Sequence, residues 1–130
     1  LKDTGLDVAG DPDISYTETH QVILNVGYAH GPEIAQRLEE NNIVCNYQAT
    51  AEEEGFTASG SLRLGVSEMT RFGMQEEDFQ QLAQIMYDCI VKQKPVQEKV
   101  KAFRQRFLDL KYCFKEQEFA PLMQKLHNLL

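Results

Sequence analysis

The sequence predicts an α+β fold, a small antiparallel or mixed three-stranded sheet covered by helices on one face. Three observations predict it. Short runs of alternating residues at 19–26, 43–47 and 61–66 mark three strands. Stretches with apolar residues three and four apart mark helices between and after them. A polar loop, not a helix, joins the second and third strands, which makes them antiparallel neighbours and argues against a doubly wound parallel sheet.

Residues 1–15 (LKDTGLDVAGDPDIS) are rich in Gly, Asp and Pro and lack periodicity, so they read as an entry linker or flexible arm. The first strand (THQVILNV) carries apolar groups on both faces, which makes it a largely covered strand and His20 a hydrogen-bonded core histidine. Gly27 ends it. In the next segment Pro32 stands at a first helical position, where its missing N–H costs nothing. Ile34, Ala35 and Leu38 form the inward stripe of that helix, and Asn41-Asn42 stop it. The second strand is IVCNY. Residues 48–60 form a polar loop with Glu52-Glu53-Glu54 as a solvated tip. In the third strand, SLRLGV, Leu62, Leu64 and Val66 share one face, and Ser61, Arg63 and Gly65 the other. A long helix begins at Gln75, with Glu76, Glu77 and Asp78 favourably placed at its positive end. Its stripe is Phe79, Leu82, Ile85, Met86 and Cys89, and Lys92, Lys94 and Pro95 close it. A third helix carries Val96, Val100, Phe103, Phe107, Leu110 and Phe114 as a seam, and a last short helix near 121–130 repeats the pattern with Leu122, Met123, Leu126 and Leu129. The expected organisation is an arm at 1–15, an α+β domain at 16–94, and a helical extension at 95–130 packed on it.

The chain has 130 residues, 42% of them hydrophobic, and a net charge of −7, which suits one globular domain and opposes nucleic-acid binding. The densest basic stretch, residues 99–111, lies on one helix face. The three cysteines, Cys45, Cys89 and Cys113, are scattered with no Cys/His ligand spacing, so they read as free buried thiols of a reducing cytoplasm, with no disulfide framework and no metal site. No apolar run is long enough to span a bilayer. The first residue is Leu rather than Met, which points to a piece of something longer.

Arg63 is the most informative residue. Small Ser61 and Gly65 flank it on its strand face, so its guanidinium is open to a planar carboxylate; an ordinary surface or salt-bridged arginine is the alternative. Arg71 stands at a turn into a helix and reads as a residue tying down the loop. His30 and His127 have no evident partner. No lysine occurs between Lys2 and Lys92, and there is no Gly-rich phosphate loop, G-x-S-x-G or H-E-x-x-H motif. On these grounds the chain holds no complete enzyme site and no catalytic residue.

Residues 57–74 (TASGSLRLGVSEMTRFGM) resemble the T-S-G-I-R-I-G-T-P…T-R-G segment near the end of serine hydroxymethyltransferase (glycine hydroxymethyltransferase), matching at Ser59-Gly60, Arg63, Gly65 and Thr70-Arg71. Upstream, Thr17-Glu18-Thr19-His20 before VILNV is similar to the family's T-D-N-H, and IVCNYQ to its I-T-V-N-K-N. The likeness covers about residues 14–92 and leaves the helices after Pro95 unmatched. It implies the small C-terminal domain of a fold-type-I pyridoxal-phosphate enzyme (an aminotransferase-type C-terminal domain) acting on glycine or serine in one-carbon metabolism. By the resemblance, Arg63 binds the substrate carboxylate, Gln48 stands where an asparagine contacts the folate pterin, and His20 and Arg71 are structural residues near the site. The groups that hold pyridoxal phosphate lie in the family's large domain, so the piece alone is expected to be inactive, and the parent to be a cytoplasmic homodimer. The sequence departs from the family at Ser61, which is inserted, at Val66-Ser67-Glu68, which replaces Thr-Pro-Ala, at Phe72, and in the loop ATAEEEGF. These departures favour, as an alternative, a folate-independent aldolase, transaldolase or aminotransferase-like relative; a second alternative, resting on the seam of the third helix, is a non-catalytic interaction module.

Overall fold

A computed structural model of the chain describes residues 1–50 and 58–129. The acidic tip Glu52-Glu53-Glu54 lies outside the described residues. The fold is α+β. Four strands, β1 (Asp7–Val8), β2 (Gln21–Asn25), β3 (Asn46–Gln48) and β4 (Ser61–Gly65), form an antiparallel sheet in the order β1-β2-β4-β3. Among the described residues five α-helices accompany it: α1 (Gly31–Glu40), α2 (Ser67–Arg71), α3 (Glu76–Ile90), α4 (Gln97–Arg104) and α5 (Glu116–His127).

The sheet has one strand more than the three the alternation marks. β1 arises inside the Gly/Asp/Pro-rich segment, between single-turn 3₁₀ helices at Lys2–Thr4 and Pro12–Ile14. Two residues are too few to show a period, yet Val8 pairs with Leu24, and Leu6 and Val8 are both buried. β2 begins at Gln21, two residues later than the alternation marks. His20 therefore lies outside it and is exposed, not a core histidine; its carbonyl accepts from the Val66 N–H at 3.4 Å.

Register decides the faces. Val22 pairs with Leu64 and Leu24 with Leu62, which turns these four residues to the covered side. Leu24 and Leu62 are fully buried there against Leu38 of α1, Met86 and Cys89 of α3, and Val96, Val100, Phe103 and Phe107 around α4. Burying a Leu, Met or Phe side chain contributes roughly 1.5–3 kcal/mol, so this cluster supplies most of the driving force for folding. Two polar ties fix the helices. The Val96 N–H donates to Asn41 Oδ1 at 2.7 Å, and the Arg37 guanidinium donates to the Ile90 carbonyl at 3.4 Å.

The third helix is shorter than its seam. α4 stops at Arg104, whose guanidinium hydrogen-bonds the Phe107 carbonyl and stacks over the Phe72 ring at 4.4 Å. The chain then turns back so that the Lys111 N–H reaches the Arg71 carbonyl at 2.7 Å. Val96, Val100, Phe103 and Phe107 are buried in this chain's own core, while Leu110 and Phe114 are exposed. The seam is thus occupied internally and offers no continuous docking surface, contrary to the interaction-module alternative. Of the thiols expected to be buried, only Cys89 is; Cys45 is half-buried and Cys113 exposed, all three free. Among the described residues no helix is long and apolar enough to cross a membrane.

Candidate functional site

The face of the sheet turned away from the core carries the candidate residues. Cross-strand partners share a face, so Arg63 lies in one row with Ile23 of β2 and Asn46 of β3. The next row holds Asp7, Asn25, Ser61 and Gln48. Gln48 is thus the diagonal neighbour of Arg63, with about 7–8 Å between such positions. β4 is an inner strand, which puts Arg63 near the middle of this face with strands on both sides.

Arg63 is exposed. Among the described residues no carboxylate lies within ion-pair distance of its guanidinium, and no protein acceptor takes its N–H groups. Asp7, on the same face but two strands away, accepts from the Asn25 amide at 3.2 Å. A guanidinium presented in this way keeps its whole fork for a planar anion. Ser61 is fully buried, and its hydroxyl donates to the Gln48 carbonyl at 2.9 Å, which fastens the edge strand β3 to β4 beside the site.

Arg71 does not join this face. It ends α2, is exposed, and lines a shallow depression of about 480 Å³ with Ser67, Glu68, Phe72 and Leu110. Its main-chain carbonyl accepts from the Lys111 and Tyr112 N–H groups at 2.7 and 3.3 Å. His20 sits just before β2. The structure therefore brings Arg63 and Gln48 together and leaves Arg71 apart. Asn46, beside Arg63, escaped the sequence reading; the signal that finds it is the antiparallel register, which places it opposite Arg63. Cys45, its neighbour, is pushed up to about 11 by burial, with Glu39 adding to the effect, so it is a thiol and not a nucleophile at neutral pH. Among the described residues there is no cluster of His, Cys, Asp and Glu that could hold a metal ion.

No protein-family model matches the chain. Individual proteins do. A serine hydroxymethyltransferase of Sulfolobus acidocaldarius is 35% identical over 97% of this chain and 30% of its own length. One of Staphylothermus marinus is 37% identical over 98% of this chain and 31% of its own. The chain resembles the C-terminal part of serine hydroxymethyltransferases along its whole length. Among solved structures, an L-threonine transaldolase from Pseudomonas fluorescens superposes with a TM-score of 0.77 at 30% identity, over 95% of this chain and 30% of that one. The chain spans about 30% of the length of these relatives. The likeness to serine hydroxymethyltransferases also runs past Pro95 into the terminal helices, which the sequence motifs alone do not reach.

Proposed function

We propose that the chain is the C-terminal, carboxylate-binding portion of a pyridoxal-phosphate-dependent enzyme of the serine hydroxymethyltransferase type, acting on glycine, serine or a similar amino acid. The observation that carries this reading is Arg63: an exposed guanidinium near the centre of the open sheet face, with no carboxylate of the described residues against it. It takes the α-carboxylate as a bidentate, charge-assisted pair and so fixes how the amino acid is turned. Pyridoxal phosphate, when bound, withdraws electrons from the amino acid's α-carbon. This chain has no lysine on the sheet face that could bond its aldehyde, so the group is held by the rest of a longer enzyme, and the chain alone neither binds it nor turns over substrate. Gln48, on the same face, offers an amide to a second, pterin-like ligand. The longer enzyme works in the cytoplasm as a homodimer.

The test is Arg63→Ala in the full-length enzyme. Losing one partner of a desolvated charge pair costs at least about 2 kcal/mol, so the amino-acid KM rises roughly thirtyfold or more. An unchanged KM overturns the assignment. A folate-independent transaldolase is the second reading, favoured by the transaldolase likeness and by glutamine in place of asparagine at position 48. Running the same assay with and without tetrahydrofolate separates the two.

A further inference from the structure

Arg63 has more donors than a carboxylate can use. The guanidinium carries five N–H groups, and a bidentate carboxylate takes two. The others need acceptors, or the planar group swings freely about its long stem. The sheet register decides what stands on each side. Ile23 of β2 is directly opposite on one side and offers no acceptor. Asn46 of β3 is directly opposite on the other. Cβ atoms of such partners are about 4.5–5.5 Å apart, within reach of a short amide against the base of an arginine fork. Asn46 is exposed, and among the described residues its side chain makes no hydrogen bond, to Arg63 or to any other group, so its amide is uncommitted. Its strand is held in place by the Ser61 hydroxyl two residues along.

The chemistry at position 46 matters. A carboxylate there would pair with Arg63, neutralise it and compete with the substrate. A neutral amide oxygen accepts an N–H and leaves the positive charge for the ligand. We propose that Asn46 is a positioning residue: its amide oxygen takes one guanidinium N–H of Arg63 and turns the remaining fork toward the amino-acid carboxylate. This rests on the reading of Arg63 given above.

The experiment uses the full-length, cofactor-loaded enzyme and measures binding by calorimetry for glycine and for methylamine, which has the amine but no carboxylate. Asn46→Ala is expected to weaken glycine about tenfold while leaving methylamine unchanged, the loss of one hydrogen bond to a charged group. Asn46→Asp, nearly isosteric, is expected to weaken glycine more than Asn46→Ala does. A merely structural role would weaken both amines alike, and that outcome overturns the proposal, as does unchanged glycine binding in Asn46→Ala. Arg63→Ala, run in parallel, separates the two failures. If it leaves the ratio of glycine to methylamine affinity unchanged, the reading of Arg63 fails. If it abolishes the preference while the Asn46 variants keep it, only the role of Asn46 fails.

Discussion

Gly31 sets how closely the first helix approaches the sheet. Its φ is not positive, so its conformation does not require glycine, but its space does. A Cβ there would stand 2.4 Å from the Ser59 carbonyl oxygen and 3.0 Å from Tyr47 Cβ. The Gly31 N–H also donates to that Ser59 carbonyl at 2.7 Å, which ties the start of α1 to the chain entering β4. The nearest atom is backbone and cannot rotate away, so Gly31→Ala forces the helix off the sheet. The expected loss of stability is about 1–3 kcal/mol, the usual cost of overpacking, read from the denaturant midpoint. Tyr47 and Ser61 face this contact from the strands that carry Asn46, Gln48 and Arg63, so the same substitution is also expected to raise the amino-acid KM in the full-length enzyme.

At the scale of elements, α3 and α4 are joined through one carboxylate. Asp88, on α3, accepts from Lys92 at 2.9 Å and from Lys99 of α4 at 3.5 Å. The Lys92 hydrogen bond comes first among the causes holding the Asp88 carboxyl below its ordinary value of 3.8, with Lys99 adding and partial burial opposing. The same bond holds Lys92 above 10.5. The sign follows from linkage. A carboxyl with a depressed folded pKa contributes stability that is fully present above 3.8 and is lost as pH falls through the lower folded value. The raised Lys92 value places a matching loss above 10.5. Asp88→Asn is therefore expected to flatten the acid limb of the stability profile below about pH 4, measured by denaturant titration at several pH values. An acid limb identical to that of the unaltered chain would show the pair contributes nothing there.

The same scale shows what the sequence makes legible. β2 and β4 were readable because Val22, Leu24, Leu62 and Leu64 alternate and bury one face. α3 was readable from its acidic first turn and its stripe. β1 was not, since two residues have no period and only Leu24 across the ladder makes Val8 a strand residue. The end of α4 was hidden for the opposite reason. The four-and-three spacing runs on through Leu110 and Phe114, but the fold breaks the helix after Arg104 to let residues 111–112 meet Arg71. Arg63 could be found from its small neighbours on one strand. Asn46 could not, because its relation to Arg63 exists only in the pairing of two strands seventeen residues apart in sequence.

For the whole molecule, the core and the terminal helix are energetically separate. Among the described residues, every buried residue of the core cluster lies between Leu6 and Phe107. In α5 the apolar residues Phe119, Leu122, Met123 and Leu126 lie three and four apart on one face, and all are exposed, between 41% and 64%. Side chains left this exposed gain little from burial on folding, and a twelve-residue helix with little packing is only marginally stable by itself. A chain ending at residue 114 is therefore expected to keep the unfolding midpoint of the full chain, within about 0.5 kcal/mol, in denaturant titrations. Its helical signal should fall by the share that α5 contributes. A drop of several kcal/mol would mean instead that the α5 face packs on the core in solution, and the division drawn between them would be wrong.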